Sequence, residues 1–172
     1  MIPKTIHYCW FGGKPHTELT DECIASWRQH CSDYAIIEWN EKNFDIDCHP
    51  FVRQAYQAGK WAFVADYFRA WVLYKHGGIY LDTDVKTVKN FDEFLSAPFF
   101  TGFETLDLLE ADTMGAVAGH PLLKELLESF ENTFDFATVP TMPIRLTQAF
   151  TEKYNIKRLY NKKYIFSDAT IY

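Results

Sequence analysis

The segment Trp61–Asp84, WAFVADYFRAWVLYKHGGIYLDTD, decides the fold of this chain. Apolar side chains surround its first part on nearly every face, which predicts a deeply buried helix over Trp61–His76. Gly77 is a natural C-terminal cap for this helix. The apolar residues Ile79–Leu81 then predict a short central strand, and that strand leads directly into the acidic triplet Asp82-Thr83-Asp84.

Strand and helix patterns alternate on both sides of this segment, as in a parallel α/β unit. Strands are predicted at Thr5–Trp10, Tyr34–Trp39, Pro98–Phe103 and Met114–Ala118, with an extended segment at Val85–Val88. Helices are predicted at Thr20–Cys31, Pro50–Ala58, Pro121–Asn132 and Pro143–Tyr154. The last residues, Lys162–Tyr172, are weakly patterned. We therefore expect a single α/β domain over residues 1–172.

Composition restricts the classes of protein that fit. Hydrophobic residues make up 48% of the 172 residues, which is enough for a substantial core. A formal net charge of −6 argues against nucleic-acid binding, which needs a basic face. The four cysteines form no C-x-x-C pair, so a zinc site is not expected. With no signal-peptide pattern, we expect a reduced, cytoplasmic protein, and peripheral association with a membrane stays open.

The acidic triplet is the candidate site. Two carboxylates one residue apart at a strand end can hold a hard divalent cation such as Mg²⁺ or Mn²⁺, which prefers oxygen ligands and often stays bound to a substrate phosphate. In an extended chain Tyr80, Asp82 and Asp84 lie on one face. The pattern favours a phosphorylated ligand, and a nucleotide sugar in particular. Taken alone, such a triplet is more typical of a polar turn after an edge strand.

Asp66 and Arg69 lie three residues apart on the buried helix and so share a face. Buried charges are costly unless they are paired or bind a ligand. One interpretation is a mutual ion pair; the other is that both point into a cleft, and the two can coexist. His7 is expected to be a core histidine. The acids Glu104, Glu110 and Asp112 could reach the cleft, but ordinary solvated side chains are the favoured interpretation.

The segment 61–84 resembles the sugar-binding D-x-D region of glycosyltransferases. The resemblance is to the family that contains bacterial capsule and lipopolysaccharide sugar transferases and the yeast mannosyltransferases, and more distantly to the catalytic domains of the clostridial glucosylating toxins. The opening residues Ile2–Gly12, IPKTIHYCWFG, and the later Gly119-His120-Pro121 are similar to the same family. Together these motifs cover most of residues 1–130.

The resemblance implies a GT-A fold, that is, a Rossmann-like mixed sheet flanked by helices. It implies a UDP- or GDP-sugar donor, a Mn²⁺ or Mg²⁺ ion, and transfer with retention to a glycan or lipid-linked saccharide acceptor in surface polysaccharide biosynthesis. The residues that match the family's site are Asp82 and Asp84 for metal and diphosphate, Asp66 and Arg69 for ribose and donor sugar, and Tyr80 and Trp10 as donor-side aromatics. Trp10 matches an aromatic that stacks on the base, and a core tryptophan is the alternative from the residues alone.

Relatives commonly continue with an aromatic- and histidine-containing C-terminal segment that we do not find here. That difference motivates one alternative, a non-catalytic protein that binds a nucleotide sugar or glycan without turnover. A second alternative is a phosphatase of the D-x-D-x-T/V type, in which the first aspartate is the nucleophile. Lys86 stands at the fifth position of that motif and argues against it.

Overall fold

The fold is a seven-stranded mixed sheet flanked by helices, seen in a computed structural model that describes residues 1–130, 134–160 and 162–172. The strands are β1 Thr5–Cys9, β2 Ala35–Trp39, β3 Gly78–Leu81, β4 Phe99–Phe103, β5 Leu109–Ala116, β6 Tyr164–Ile165 and β7 Thr170–Ile171. The helices are α1 Glu18–His30, α2 Pro50–Gln57, α3 Trp61–His76, α4 Pro121–Glu128 and α5 Met142–Lys153.

The sheet changes direction next to its centre. Its strand order is β2-β1-β3-β5-β4-β7-β6. Strands β2, β1 and β3 are parallel, whereas β5 runs antiparallel to both β3 and β4. The α/β class with a mixed sheet, predicted above, is thereby confirmed.

Two apolar clusters cover the two faces of the sheet. On one face α3 packs with α2, α4 and α5, and Phe68 and Leu73 of α3 are fully buried. On the other face α1 covers β1 and β3 through Trp27, which is also fully buried. Because α3 is covered by helices as well as by the sheet, it needs apolar side chains around most of its circumference.

A glycine pair turns α3 into β3. Gly77 and Gly78 have φ values of 66° and 104°, a region that glycine adopts at low cost. A Cβ on Gly78 would also lie 2.7 Å from the carbonyl oxygen of Thr5. The close approach of β1 and β3 therefore requires glycine at this position.

His7 lies beneath this turn. Its Nδ1 accepts a hydrogen bond from Trp39 Nε1 at 3.1 Å, so its Nε2 carries the proton and donates to the carbonyl of Gly77 at 3.0 Å. Burial lowers the pKa of His7 to about 4. His7 is thus a neutral core histidine, as predicted.

Most predicted elements are present. Helix α3 matches its predicted bounds, the other elements of the first half differ by one or two residues at their ends, and the larger differences lie after β3. The strand predicted at Met114–Ala118 begins earlier, at Leu109, and the weakly patterned tail forms β6 and β7. The predicted strand-like segment Val85–Val88 is irregular. The helix that begins at Pro121 ends at Glu128, and residues 131–132 of its predicted range lie outside the described residues. In the part of the chain described, no helix is long and apolar enough to cross a membrane.

Candidate functional site

A cavity of about 540 Å³ opens at the carboxyl ends of β1 and β3. Strand β1 has β2 on one side and β3 on the other. The connections to these two neighbours therefore run to opposite sides of β1, which leaves a crevice at the carboxyl ends of the strands. In open α/β sheets this is where ligands bind. The cavity is lined by Cys9, Trp10, Phe11, Lys14, Pro15, Thr17, Leu19, Thr20, Trp61, Ala62, Ala65, Arg69, Tyr80, Asp82, Thr83 and Asp84.

Five of the six predicted site residues therefore line one cavity: Trp10, Arg69, Tyr80, Asp82 and Asp84. The sixth, Asp66, is not among the lining residues. The structure brings these side chains together, and their donor and metal roles stay predictions.

Asp66 contacts Arg69 but does not line the cavity. Its carboxylate is 3.3 Å from Arg69 Nη2 and accepts a hydrogen bond from the backbone N–H of Met142 at the start of α5. Burial raises the pKa of Asp66 to about 6, against the lowering effect of Arg69. The Asp66 carboxylate thus connects Arg69 in the site to the start of helix α5.

Arg69 is the charged centre of the site, with a side chain only 6% exposed. Its Nη1 donates to Asp82 Oδ2 at 3.0 Å and to the carbonyl of Ala111 at 2.7 Å. Its guanidinium also stacks on the ring of Tyr80 at 4.9 Å. Burial alone would disfavour the charge, but Tyr80, Asp82 and Asp66 together raise the pKa of Arg69. The ion-pair and cleft interpretations of this residue therefore both hold.

Asp82 is fixed through both of its carboxylate oxygens. Its Oδ1 accepts from the hydroxyl of Tyr80 at 2.6 Å, while its Oδ2 accepts from Arg69. The Tyr80 hydroxyl also lies 3.6 Å from the thiol of Cys9. Burial raises the pKa of Asp82. Arg69 has a smaller, lowering effect on that pKa, and the neighbouring carboxyl of Asp112 raises it further. The acid is held in one orientation but lacks a full counter-charge.

Asp84 does not continue the strand, which corrects the extended geometry expected from the sequence. Strand β3 ends at Leu81, and the backbone N–H of Val85 donates to the carbonyl of Asp82 at 3.1 Å. This hydrogen bond closes a turn at the triplet. Asp84 is exposed at that turn and still lines the cavity. The polar-turn and ligand-site interpretations of the triplet are thus compatible.

Asp112 contacts two residues of the site, as the cleft alternative allowed, and it is also solvated, as was favoured from the sequence. The backbone N–H of Asp82 donates to its carbonyl at 2.9 Å, and its carboxylate lies 3.6 Å from Arg69 Nη1. Its side chain is 53% exposed. The antiparallel pairing of β5 with β3 places Asp112 beside Asp82 and Arg69. No local sequence pattern predicts that pairing.

Two tryptophans, Trp10 and Trp61, also line the cavity. Trp10 follows β1, and its indole Nε1 donates to the carbonyl of Lys14 at 2.7 Å. Trp61, at the start of α3, is 36% exposed and packs against Gly12, where a Cβ would lie 2.8 Å from the indole. Trp10 is therefore not a core tryptophan. Trp61 was missed because its helix reads as buried throughout.

The acidic groups suit a hard cation. In residues 1–130, 134–160 and 162–172, no three His, Cys, Asp or Glu side chains are arranged to hold a metal ion by themselves. Asp82 and Asp84 offer carboxylate oxygens. Arg69 and Tyr80 each donate to a different oxygen of Asp82, which leaves a lone pair on each oxygen for a cation. Such an incomplete oxygen set fits Mg²⁺ or Mn²⁺, because these ions keep waters and substrate phosphates as further ligands.

Comparison with known proteins relates the chain to glycosyltransferases. Residues 17–100 match the family described as "Glycosyltransferase sugar-binding region containing DXD motif". Inositol phosphoceramide mannosyltransferase 3 of Schizosaccharomyces pombe is 28% identical over 151 residues, which is 80% of this chain and 41% of that protein. Mannosyl phosphorylinositol ceramide synthase SUR1 of Saccharomyces cerevisiae is 28% identical over 84% of this chain and 38% of its own length. The chain thus spans about two fifths of these curated relatives.

Solved structures share the fold. PaToxG glycosyltransferase superposes with a TM-score of 0.72 at 18% identity, covering 90% of this chain and 70% of that one. A glycosyltransferase involved in glycosylation of the major capsid of PBCV-1 gives a TM-score of 0.54 at 12% identity, covering 97% and 81%. The fold is that of GT-A-type glycosyltransferases. Residues 17–100 thus match the DXD-containing glycosyltransferase family, and the chain shares the fold of glycosyltransferases.

Proposed function

We propose that this protein is a metal-dependent glycosyltransferase that binds a nucleotide-sugar donor in the cavity at the ends of β1 and β3. The observation that carries the proposal is the arrangement around Asp82. This carboxylate ends a buried strand, is oriented by Arg69 and Tyr80, and lies two residues before the exposed Asp84 in the same cavity.

The residues that line the cavity have separate proposed roles. Arg69 and Tyr80 hold Asp82 in place before the ligand arrives, so little ordering is needed on binding. A Mn²⁺ or Mg²⁺ ion held by Asp82 and Asp84 would neutralise the diphosphate and stabilise its charge as it leaves. Trp10 offers an indole on which the base can stack. The donor contact predicted for Asp66 is then indirect, through Arg69.

The acceptor proposal is a glycan or lipid-linked saccharide. The names of the yeast relatives specify mannosyl transfer to inositol phosphoceramide, which supports a lipid-linked acceptor. The resemblance to capsule and lipopolysaccharide transferases supports surface polysaccharide biosynthesis, retention at the anomeric carbon, and a cytoplasmic protein that associates peripherally with the membrane. The anomeric configuration of the product, read by NMR, tests retention.

The two alternatives differ from this proposal in measurable ways. A phosphatase needs Asp82 as a nucleophile, but both of its oxygens already accept hydrogen bonds, from Tyr80 and Arg69. A phosphoenzyme trapped on Asp82 would support that alternative. A non-catalytic binding protein would bind nucleotide sugars with Mn²⁺ but would not consume any donor.

The test is calorimetric titration of UDP- and GDP-sugars, with and without Mn²⁺, followed by assays of donor consumption with lipid-linked and glycan acceptors. We expect Mn²⁺ to tighten binding of one donor class at least tenfold, or about 1.4 kcal/mol. Asp84→Ala should remove this gain. Glu128→Ala is the matched control, because that acid on α4 is exposed and its pair with Lys124, at 3.7 Å, lies on the surface. A Mn²⁺ effect that survives in Asp84→Ala would contradict the proposed metal site.

A further inference from the structure

Positive charge is concentrated in one short segment of this acidic chain. Residues 155–167 contain four basic side chains and no acidic one, whereas the whole chain has a formal net charge of −6. The four are Lys157, Arg158, Lys162 and Lys163, and all are exposed. An anionic partner would therefore be attracted to this segment and repelled by most of the remaining surface.

Aromatic rings hold three of these cations in place. The distance from the cation to the ring centroid is 5.6 Å for Arg158 over Tyr160, 5.2 Å for Lys162 over Tyr164 and 4.2 Å for Lys163 over Tyr172. The backbone N–H of Tyr160 also donates to the hydroxyl of Tyr164 at 3.0 Å. Because Tyr164 of β6 pairs with Ile171 of β7, these contacts join the cations and rings into one continuous surface.

Exposed apolar side chains lie beside the cations. Ile165 of β6 is 72% exposed, and Leu106, in the turn between β4 and β5, is 77% exposed. Arg158 Nη2 lies 3.8 Å from Asp107 Oδ2, which brings this turn next to the basic segment. We call this group the β6 surface; its members are Leu106, Arg158, Tyr160, Lys162, Lys163 and Ile165.

The β6 surface lies at the same edge of the sheet as the cavity. Strand β3 ends just before Asp82, and its antiparallel partner β5 begins at that edge, beside the turn that carries Leu106. Strand β7 runs parallel to β4 and ends at this edge, so its antiparallel partner β6 begins there. Lys162 and Lys163 directly precede β6. The β6 surface and the cavity are therefore found at the same end of the sheet.

The chemistry of the β6 surface distinguishes between three explanations. Lysines beside an edge strand hinder its pairing with other chains, but that role does not require exposed apolar side chains. A soluble polyanion would likewise use the cations alone. The surface of an anionic bilayer uses both kinds of group, because its headgroups attract lysine and arginine while apolar and aromatic side chains enter the interface.

We propose that the β6 surface docks on anionic phospholipid headgroups and turns the cavity toward a lipid-linked acceptor in the same bilayer. The docking is independent of the proposed function, whereas the delivery of the acceptor rests on it. The two parts are tested by separate measurements.

The first experiment is sedimentation with vesicles of phosphatidylcholine that contain about 30% phosphatidylglycerol. The wild type should bind these vesicles, bind pure phosphatidylcholine far more weakly, and dissociate as NaCl rises from about 0.1 to about 0.5 M. Lys162→Glu with Lys163→Glu should weaken binding about tenfold or more. Lys42→Glu with Lys124→Glu is the control, because it gives the same net charge by changing exposed lysines on other surfaces. Equal losses in the two double variants would overturn the proposal.

The second experiment tests the apolar part of the β6 surface. Leu106→Ser with Ile165→Ser should weaken vesicle binding about threefold to tenfold without changing the net charge. Binding to dextran sulfate, a soluble polyanion, should not change in this variant. If vesicle binding is also unchanged, the β6 surface recognises charge alone and bilayer docking is overturned.

The third experiment compares donor consumption with a lipid-linked saccharide in these vesicles and with the same saccharide freed of its lipid. Lys162→Glu with Lys163→Glu should lower the rate with the vesicle-bound acceptor and leave the rate with the soluble one unchanged. An equal fall with both acceptors would overturn the delivery role. If the vesicle binding follows the β6 surface but the wild type consumes no donor, docking is supported and the proposed function is contradicted.

Discussion

Replacing Arg69 by methionine should make this protein strongly pH-dependent in stability. The substitution keeps an unbranched side chain of similar length but removes the cation shared by Asp82 at 3.0 Å, Asp66 at 3.3 Å and Asp112 at 3.6 Å. Breaking a buried ion pair costs about 3–5 kcal/mol, because the partner is left charged and unpaired. A domain of this size is stable by only about 5–15 kcal/mol.

The loss of stability in Arg69→Met should depend on pH, because the carboxylates left without a counter-charge can take up protons instead of remaining charged. Burial already raises the pKa of Asp66 to about 6 and also raises that of Asp82. Without Arg69 both should rise further. We therefore expect Arg69→Met to lose about 3–5 kcal/mol at pH 8 and clearly less at pH 5.

Urea denaturation followed by near-ultraviolet circular dichroism at both pH values measures this difference. Arg69→Lys keeps a charge without the planar fork of donors and should fall between the wild type and Arg69→Met. Asp66→Asn added to Arg69→Met should restore part of the loss at pH 8. A loss below about 1 kcal/mol at pH 8, or one that is equal at both pH values, would refute the role of Arg69 as the shared counter-charge.

Three further outcomes follow from the same geometry. Asp84→Ala should abolish the effect of Mn²⁺ on nucleotide affinity while leaving the thermal midpoint in its absence unchanged, because Asp84 is exposed. Because the pKa of Asp66 is raised to about 6 in the folded protein, its ionisation should lower the free energy of unfolding by up to about 3 kcal/mol as pH rises from about 4 to about 6. Asp66→Asn has no such ionisation, so the difference in unfolding free energy between this variant and the wild type should change with pH over the same range. Gly78→Ala should cost more than Gly13→Ala in chemical denaturation: both have positive φ, but a Cβ meets the Thr5 carbonyl at 2.7 Å only at Gly78, which adds about 1–3 kcal/mol. Equal costs for the two glycine variants would show that β1 and β3 can separate.

Local patterns predicted the first half of this fold well. Helix α3 and strand β3 were predicted because a helix apolar all round, a glycine pair and a short apolar run each have a direct physical meaning. The early start of β5 was not predicted. Its first residues, LEADT, mix apolar and acidic side chains, and their strand conformation depends on pairing with β3 and β4 rather than on their own preference.

The residues of the candidate site likewise differ in how far local sequence predicts them. Asp82, Asp84 and Arg69 could be named from the sequence because they follow a strand or stand as a charge within an apolar helix, whereas Trp10 was named through the family resemblance. Asp112 was expected to be solvated, since an acid in a polar segment looks solvated until the antiparallel neighbour of β3 is known.

The continuity of α3, the Gly77–Gly78 turn and β3 has a consequence for the order of folding. One uninterrupted segment supplies Arg69, Tyr80 and Asp82, and the contacts among them are short in sequence. The pairing of β1 with β3, by contrast, joins Ile6 to Ile79 across much of the chain. Chain entropy therefore favours formation of the α3–β3 unit before β1 docks. We expect substitutions in this unit to slow refolding, whereas changes in β1 mainly speed unfolding.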